Sequence, residues 1–286
     1  MDISLISQLS QRFPQLALPI AINEKDTPEY KDTVLRGKPV FREPEFVGSP
    51  EDSLSVIETP VGNVEILFLG NRQDFEHALQ ALAFHCEPVD IPGSVGANTI
   101  CGLINWQKIR SHKQEYILSG GRDWNEEFKK FTSNKKNYLD TIILLSSGYY
   151  SAIPASEVNL SENAWRTKSV IIRKYHELTH YVCRSLYPQD VEPIRDEVIA
   201  DMIGIMAAFD HYDSYLAKRF LGIEGAEFHR GGRLMHYTKN DNLSVAMKSA
   251  KNLIEDLASK RFDYNSHDIF DLMLAIIHEY YREVKT

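Results

Sequence analysis

Two short segments in the first third of the chain alternate or cluster apolar residues in the manner of β-strands. They span residues 55–59 and 64–69, and the proline, glycine and asparagine between them predict a β-hairpin. Residues 71–85 repeat apolar side chains at helical spacing and predict a helix. Residues 141–145 are all β-branched or aliphatic and precede a Ser-Ser-Gly turn, which predicts a buried strand.

The second half of the chain is dominated by helical spacing of apolar residues. Residues 170–187 form one such segment, and Pro188 directly follows its last residue. A second helix is expected to begin near Pro193, because proline is favourable in the first turn of a helix. No proline follows Pro193, and apolar spacings around residues 253–257 and 269–276 predict two more helices. Because the predicted strands lie in the first half of the chain and most predicted helices in the second, the pattern indicates the α+β class.

The placement of proline predicts how the chain is divided. Six of the 12 prolines lie in the first fifty residues, so we expect residues 1–50 to form an extended arm with little regular structure. Residues 51–187 are expected to form an α+β lobe that ends with the helix at 170–187. Residues 188–286 are expected to form a helical lobe. A length of 286 residues is compatible with an arm and two lobes.

Composition and charge exclude several classes of protein. The chain is 43% hydrophobic and 25% charged, as is usual for a globular protein, and its net charge of −8 without a long basic run argues against nucleic-acid binding. Three cysteines without a C-x-x-C pair argue against a disulfide framework and a cysteine zinc site. Neither a signal peptide nor an apolar segment of about 20 residues is visible, so we expect a cytoplasmic protein without a membrane partner. The oligomeric state stays open.

The motif H-E-x-x-H occurs once, with His176, Glu177 and His180, inside the helix predicted at residues 170–187. Residues four apart stack on one helix face, so both imidazoles can reach one metal ion while Glu177 points beside it. Zinc favours such nitrogen ligands in a tetrahedral site that leaves one position for water. A random chain of this composition would contain about 0.03 such motifs. The low number favours a metal site over a chance pair of histidines.

A third metal ligand is expected from the helix that begins near Pro193. Extended sites of the form H-E-x-x-H-x-x-G-x-x-H are excluded, because Cys183 and Leu186 stand where glycine and histidine are needed. Downstream, Glu197 could complete the coordination, and Asp201 could hydrogen-bond the outer nitrogen of a coordinating histidine. Acidic residues are also common in first turns of helices, where they interact with the helix dipole, so a surface position for Glu197 stays an alternative.

This pattern resembles the gluzincins, the zinc metallopeptidase clan in which an H-E-x-x-H helix is followed by a helix with E-x-x-x-D. The resemblance implies that His176, His180 and Glu197 bind zinc. It further implies that Glu177 is the general base and that Asp201 supports a ligand from behind. The resemblance covers residues 176–201 and their immediate flanks, which is under a fifth of the chain.

The same resemblance implies a zincin-like α+β fold. In such a fold an N-terminal lobe with a mixed or antiparallel sheet holds the active-site helix, and a C-terminal helical lobe supplies the third ligand. An edge strand of the sheet borders the cleft. By its position, the segment at residues 141–145 is the candidate for that edge strand.

A donor for the developing oxyanion of an amide hydrolysis is expected in residues 228–237. Two adjacent glycines there let the backbone bend close to a ligand, and His236 and Tyr237 follow them. We predict Tyr237 first and His236 second as this donor. Arg233 is a further candidate, in its case for a substrate carboxylate. An ordinary glycine turn with solvated basic residues is an equally good interpretation of this segment.

The leading hypothesis is a zinc-dependent hydrolase that cleaves a peptide or other amide bond, with a peptide or small amide as its substrate. The alternative is a catalytically inactive zincin-like protein that binds metal or a partner. An intact Glu177 argues against this alternative, because a structural zinc site closes with four protein ligands and needs no base. A di-iron helix bundle is disfavoured, because it needs a second E-x-x-H motif and the chain has none.

Overall fold

The computed structural model describes residues 5–229, 232–238, 242–260 and 268–282. The chain divides into two compact units. The first comprises Met1–Val56, Glu65–Ile91 and Thr99–Leu144, and the second comprises Ile57–Val64, Pro92–Asn98 and Leu145–Thr286. The protein is α+β, as predicted, with a four-stranded mixed sheet and a larger number of helices.

The sheet contains β1 (Ser53–Thr59), β2 (Gly62–Leu69), β3 (Ala97–Ile104) and β4 (Leu139–Ser146), in the order β1-β2-β4-β3. The predicted hairpin is confirmed as β1 and β2, and the predicted buried strand is confirmed as β4. The expectation that this strand lies at the edge of the sheet is wrong, because β4 pairs with β2 on one side and β3 on the other. Its second half is buried throughout, as is typical of a strand covered on both faces.

The N-terminal fifty residues contain more regular structure than their prolines predict. They include α1 (Leu5–Arg12), a 3₁₀ turn at Pro14–Ala17 and α2 (Pro28–Tyr30). Pro14 and Pro28 occupy the first positions of the 3₁₀ turn and of α2, where a missing N–H costs nothing and the fixed φ is favourable. The expectation of an extended arm is therefore wrong, and side chains from this segment enter the core of the first unit: Leu9, Phe13 and Leu16.

The remaining helices of the first unit are α3 (Arg72–Ala83), α4 (Trp106–Leu118) and α5 (Trp124–Thr132). The helix predicted at residues 71–85 is thus confirmed. It begins after Asn71, whose side chain accepts hydrogen bonds from two backbone N–H groups of the first turn. Its apolar face is buried in the core of this unit through Phe75, Leu79 and Leu82.

The second unit is built on helices α6 (Glu162–Leu186), α7 (Pro193–Phe209), α8 (Ser214–Leu221), α9 (Leu243–Ser259) and α10 (Ile269–Arg282). The helices predicted in this half are confirmed, although the first starts earlier than its apolar spacing indicates. Because α6 and α7 pack together within this one unit, the predicted boundary between residues 187 and 188 does not separate compact bodies. Among the described helices we find none with the length and apolar character needed to cross a membrane.

Candidate metal centre

Helices α6 and α7 bring two histidines and one glutamate together inside the second unit. The Nε2 atoms of His176 and His180 lie 3.0 Å apart. Glu197 places Oε1 3.1 Å from His180 Nε2 and Oε2 3.4 Å from His176 Nε2. All three residues are buried, with 5–8% of their surface exposed. Glu197 is therefore not a surface residue, and the three groups could hold a metal ion.

Close packing of the two helices makes this meeting possible. Gly204 of α7 faces the backbone of α6, and a Cβ added there would lie 2.8 Å from the carbonyl oxygen of Ile172. Only glycine fits at such a distance. The carboxylate of Glu197, two turns earlier on α7, thereby reaches the histidine face of α6.

The spacing of the donor atoms agrees with a tetrahedral metal site. With metal–ligand bonds of about 2.0–2.1 Å, neighbouring ligand atoms of a tetrahedron lie about 3.3–3.4 Å apart. The two imidazole Nε2 atoms lie 3.0 Å apart, and each lies 3.1 or 3.4 Å from a different oxygen of the Glu197 carboxylate. With one donor atom from each residue, all three atoms lie within 4.8 Å of one another. Oε2 of Glu197 is also buried without a hydrogen-bond partner among the described residues. A cation between the three groups would satisfy this acceptor and both imidazole nitrogens.

The electrostatics of the group favour positive charge at its centre. Burial alone would lower the pKa of His176, but Glu197 and Asp201 outweigh burial and raise that pKa to about 9. Burial would likewise raise the pKa of Glu197, but His176 and His180 hold it well below its usual range. A protonated His176 and an ionised Glu197 therefore coexist at neutral pH when no metal is bound.

Asp201 lies behind His176, where the sequence predicts it. Its Oδ1 is 3.0 Å from Nδ1 of His176, which leaves Nε2 directed at Glu197 and His180. Arg233 donates to both carboxylate oxygens of Asp201, at 2.6 and 2.5 Å. Burial would raise the pKa of Asp201, and Arg233 and His176 lower it below its usual value. The carboxylate is thus held ionised behind the metal-facing histidine.

The expectation for Arg233 is corrected by this pairing. Its side chain is buried and engaged with Asp201, with Nη1 also 3.8 Å from Oε2 of Glu197, so its role is to compensate buried carboxylates. Because Arg233 is already paired with Asp201, its guanidinium is not free to bind a substrate carboxylate. The adjacent residues Arg230 and Gly231, which belong to the same predicted loop, lie outside the described residues.

The other predicted site residues take different positions. Glu177 is buried, 8% exposed, on the helix that carries the histidines. Tyr237 lies close enough to Arg233 and Glu197 for both to act on its hydroxyl, whose pKa burial raises well above its usual value. His236 is exposed, and its ring meets that of Tyr237 edge-on at 6.2 Å. Of the two predicted oxyanion donors, the structure brings Tyr237 to the site.

Sequence reasoning missed one residue of this cluster, Tyr150. Its hydroxyl donates to Oδ1 of Asp201 at 2.6 Å and lies 2.9 Å from Nδ1 of His176. The residue follows β4 and precedes the H-E-x-x-H motif by 26 positions. Nothing in its local sequence distinguishes it from the neighbouring Tyr149.

The comparisons with known proteins identify a family but no activity. No curated protein and no solved structure shows a significant match to the chain. A family model described as "Family of unknown function (DUF7005)" matches residues 1–271, which is nearly the whole chain. The protein therefore belongs to this family of unknown function, DUF7005.

Proposed function

We propose that the protein is a zinc-dependent hydrolase with a zincin-like site that cleaves a peptide or other amide bond. The observation that carries the proposal is the buried convergence of His176, His180 and Glu197, in which each Nε2 atom lies 3.1 or 3.4 Å from an oxygen of the carboxylate and the two Nε2 atoms lie 3.0 Å apart. Two imidazole nitrogens and one carboxylate are a donor set that suits zinc. Three protein ligands leave one position open, as catalytic zinc sites do.

The residues around the ligands have the properties that amide hydrolysis requires. When bound, zinc acts as a Lewis acid and makes a water molecule nucleophilic near neutral pH. Glu177, next to the first histidine, takes the proton of the attacking water and returns it to the leaving amine. Tyr237, beside Glu197, keeps its proton at neutral pH and so can donate a hydrogen bond to the oxyanion that develops. His236, which is exposed, is the weaker candidate for that donor.

Metal analysis of purified protein tests the first part of this proposal. We expect about one zinc per chain, lost in His180→Ala and retained in Glu177→Gln. His229→Ala, at an exposed histidine, is the matched control and should keep the metal. A wild-type protein that takes up no zinc would refute the assignment of the site.

Activity assays on peptide and amide libraries test the second part. We expect cleavage that a chelator abolishes and that falls by about 10²–10⁴ in Glu177→Gln, the typical contribution of a general base. Glu162→Gln, an exposed position at the start of the same helix, is the control and should cleave at the wild-type rate. Equal cleavage rates in Glu177→Gln and wild type would defeat the general-base role of Glu177. A zinc-loaded wild type that cleaves none of the libraries would defeat the hydrolase and leave a non-catalytic metal-binding protein.

A further inference from the structure

Tyr150 is buried in the second unit with its hydroxyl directed at the back of the metal centre. It is 4% exposed, and its ring packs edge-on against Phe220 at 4.6 Å and under the guanidinium of Arg233 at 4.8 Å. The hydroxyl is within hydrogen-bond distance of both Asp201 and Nδ1 of His176. The ring thus fills the core while one polar atom reaches two groups of the centre.

The backbone around Tyr150 is held in an unfavourable conformation. The next two residues, Ser151 and Ala152, have φ values of 52° and 57°, in the left-handed region that costs L-residues about 1–2 kcal/mol each. Such strain persists only where the surroundings impose it. Here the carbonyls of Gly148 and Tyr149 accept hydrogen bonds from buried Arg173 of α6.

The same helix also fixes Tyr150 directly. Ser169 of α6 accepts a hydrogen bond from the backbone N–H of Tyr150 at 2.9 Å. Ser169 and Arg173 lie about two turns and one turn before His176 on α6. The turn that carries Tyr150 is therefore anchored to the helix that carries the histidines, and its hydroxyl has a fixed place relative to His176.

The chemistry of the three groups assigns their protons. Asp201 is an ionised carboxylate and can only accept, so Nδ1 of His176 carries a proton and Nε2 keeps its lone pair for the metal. A phenol can accept and donate at once. The one proton on Nδ1 of His176 is shared between the Tyr150 oxygen and Oδ1 of Asp201, and Tyr150 donates its own proton to Asp201.

We propose that Tyr150 is a positioning residue of the metal centre, whose hydroxyl fixes the tautomer and orientation of His176 together with Asp201. The inference rests on the proposed metal site and deepens it. Hydrogen-bond partners behind a coordinating histidine typically contribute 10–100-fold to metal affinity or activity. A purely structural tyrosine would contribute its ring alone, since the ring fills the space beside Phe220 with or without the hydroxyl.

Tyr150→Phe separates these two roles because it removes the hydroxyl and keeps the ring. We expect the dissociation constant for Zn²⁺, measured by competition with a chromophoric chelator, to rise by about 10–100-fold. Tyr149→Phe is the matched control; its ring lies under Arg166, and its affinity should equal that of wild type. Equal affinities in Tyr150→Phe and wild type would overturn the inference and leave the proposed function standing. Failure of the wild type to bind Zn²⁺ would instead defeat the metal site, and this inference with it.

A second measurement needs no substitution and keeps the inference testable if Tyr150→Phe fails to fold. In zinc-loaded protein labelled with ¹⁵N-histidine, we expect the His176 side-chain proton on Nδ1, in slow exchange with water and with a nuclear Overhauser contact to the Tyr150 ring. Exposed His229 is the reference for fast exchange. A proton on Nε2, or no contact to the Tyr150 ring, would overturn the inference.

Discussion

The pairing of Arg233 with Asp201 predicts a large loss of stability when the arginine is replaced. The two side chains are 9% and 1% exposed, and one guanidinium nitrogen contacts both carboxylate oxygens. Arg233→Met keeps most of the apolar stem but leaves the Asp201 carboxylate buried without its cation. Breaking a buried pair in this way costs about 3–5 kcal/mol, because the remaining charge is left uncompensated.

Denaturant unfolding at pH 7 with a chelator present measures this cost without a contribution from bound metal. The free energy of unfolding should fall by about 3–5 kcal/mol, and the thermal midpoint by about 6–20 °C. Arg72→Met is the matched control. Its ion pair with Glu76 has both side chains more than a third exposed, so the loss there should be about 0–1 kcal/mol.

A double variant distinguishes lost charge compensation from lost packing. Arg233→Met combined with Asp201→Asn leaves no unpaired carboxylate, so it should be more stable than Arg233→Met alone. A loss in Arg233→Met no larger than that in Arg72→Met would refute the reasoning. So would a double variant whose loss equals the sum of the two single losses.

Three further predictions follow from local features. Because Glu197 and Asp201 raise the pKa of His176 to about 9, its ion pairs stabilise the metal-free protein fully below about pH 6.5 and are lost as the pH rises through 9. Zinc binding at pH 7 should therefore release about one proton from His176. Calorimetry in buffers of different ionisation enthalpy measures this release, and a result of no proton released would contradict the prediction. Gly204→Ala should separate α6 from α7, lower the free energy of unfolding by about 1–3 kcal/mol and weaken zinc binding. Gly225→Ala is the control, because a Cβ there would meet no atom closer than 3.8 Å. Equal zinc affinities in these two variants would disprove the packing argument. Asp210→Gly should stabilise the protein by about 1 kcal/mol, because Asp210 ends α7 with φ 62°, and an unchanged or lower unfolding midpoint would reject this.

The parts of the centre that the sequence predicts are those set by spacing within one helix. His176 and His180 share a face of α6 because they are four residues apart, and Asp201 shares a face of α7 with Glu197 for the same reason. The meeting of the two faces depends on close packing at Gly204, a small residue on a helix that is buried nearly all round. Local pattern was sufficient here because each helix contributes its groups from within about one turn.

Contacts between distant segments explain what the sequence did not predict. Tyr150 reaches His176 through a turn whose left-handed residues, Ser151 and Ala152, are neither glycine nor asparagine and give no local signal. Arg233 lies 32 residues after its partner Asp201, so spacing could not reveal the pair. Proline content alone predicts an extended N-terminal arm, but Pro14 and Pro28 stand at the start of a turn, where proline is favourable.

The position of β4 shows how a resemblance can override a local signal. The apolar run at residues 141–145 already predicts a strand buried on both faces, and such strands lie inside a sheet. The resemblance to gluzincins placed the same run at an edge beside a cleft. The observed order β1-β2-β4-β3 follows the local signal.

The charges of the centre explain why a proton and a metal ion compete for it. Glu197 and Asp201 are two buried carboxylates, and Arg233 supplies one fixed positive charge beside them. Without metal, the second positive charge is the proton on His176, which the two carboxylates retain up to about pH 9. A cation held by His176, His180 and Glu197 takes over that role and releases Nε2 of His176 as a ligand. Asp201, held by Arg233 and Tyr150, stays in place in both cases, so exchanging the proton for the metal requires no rearrangement behind the histidine.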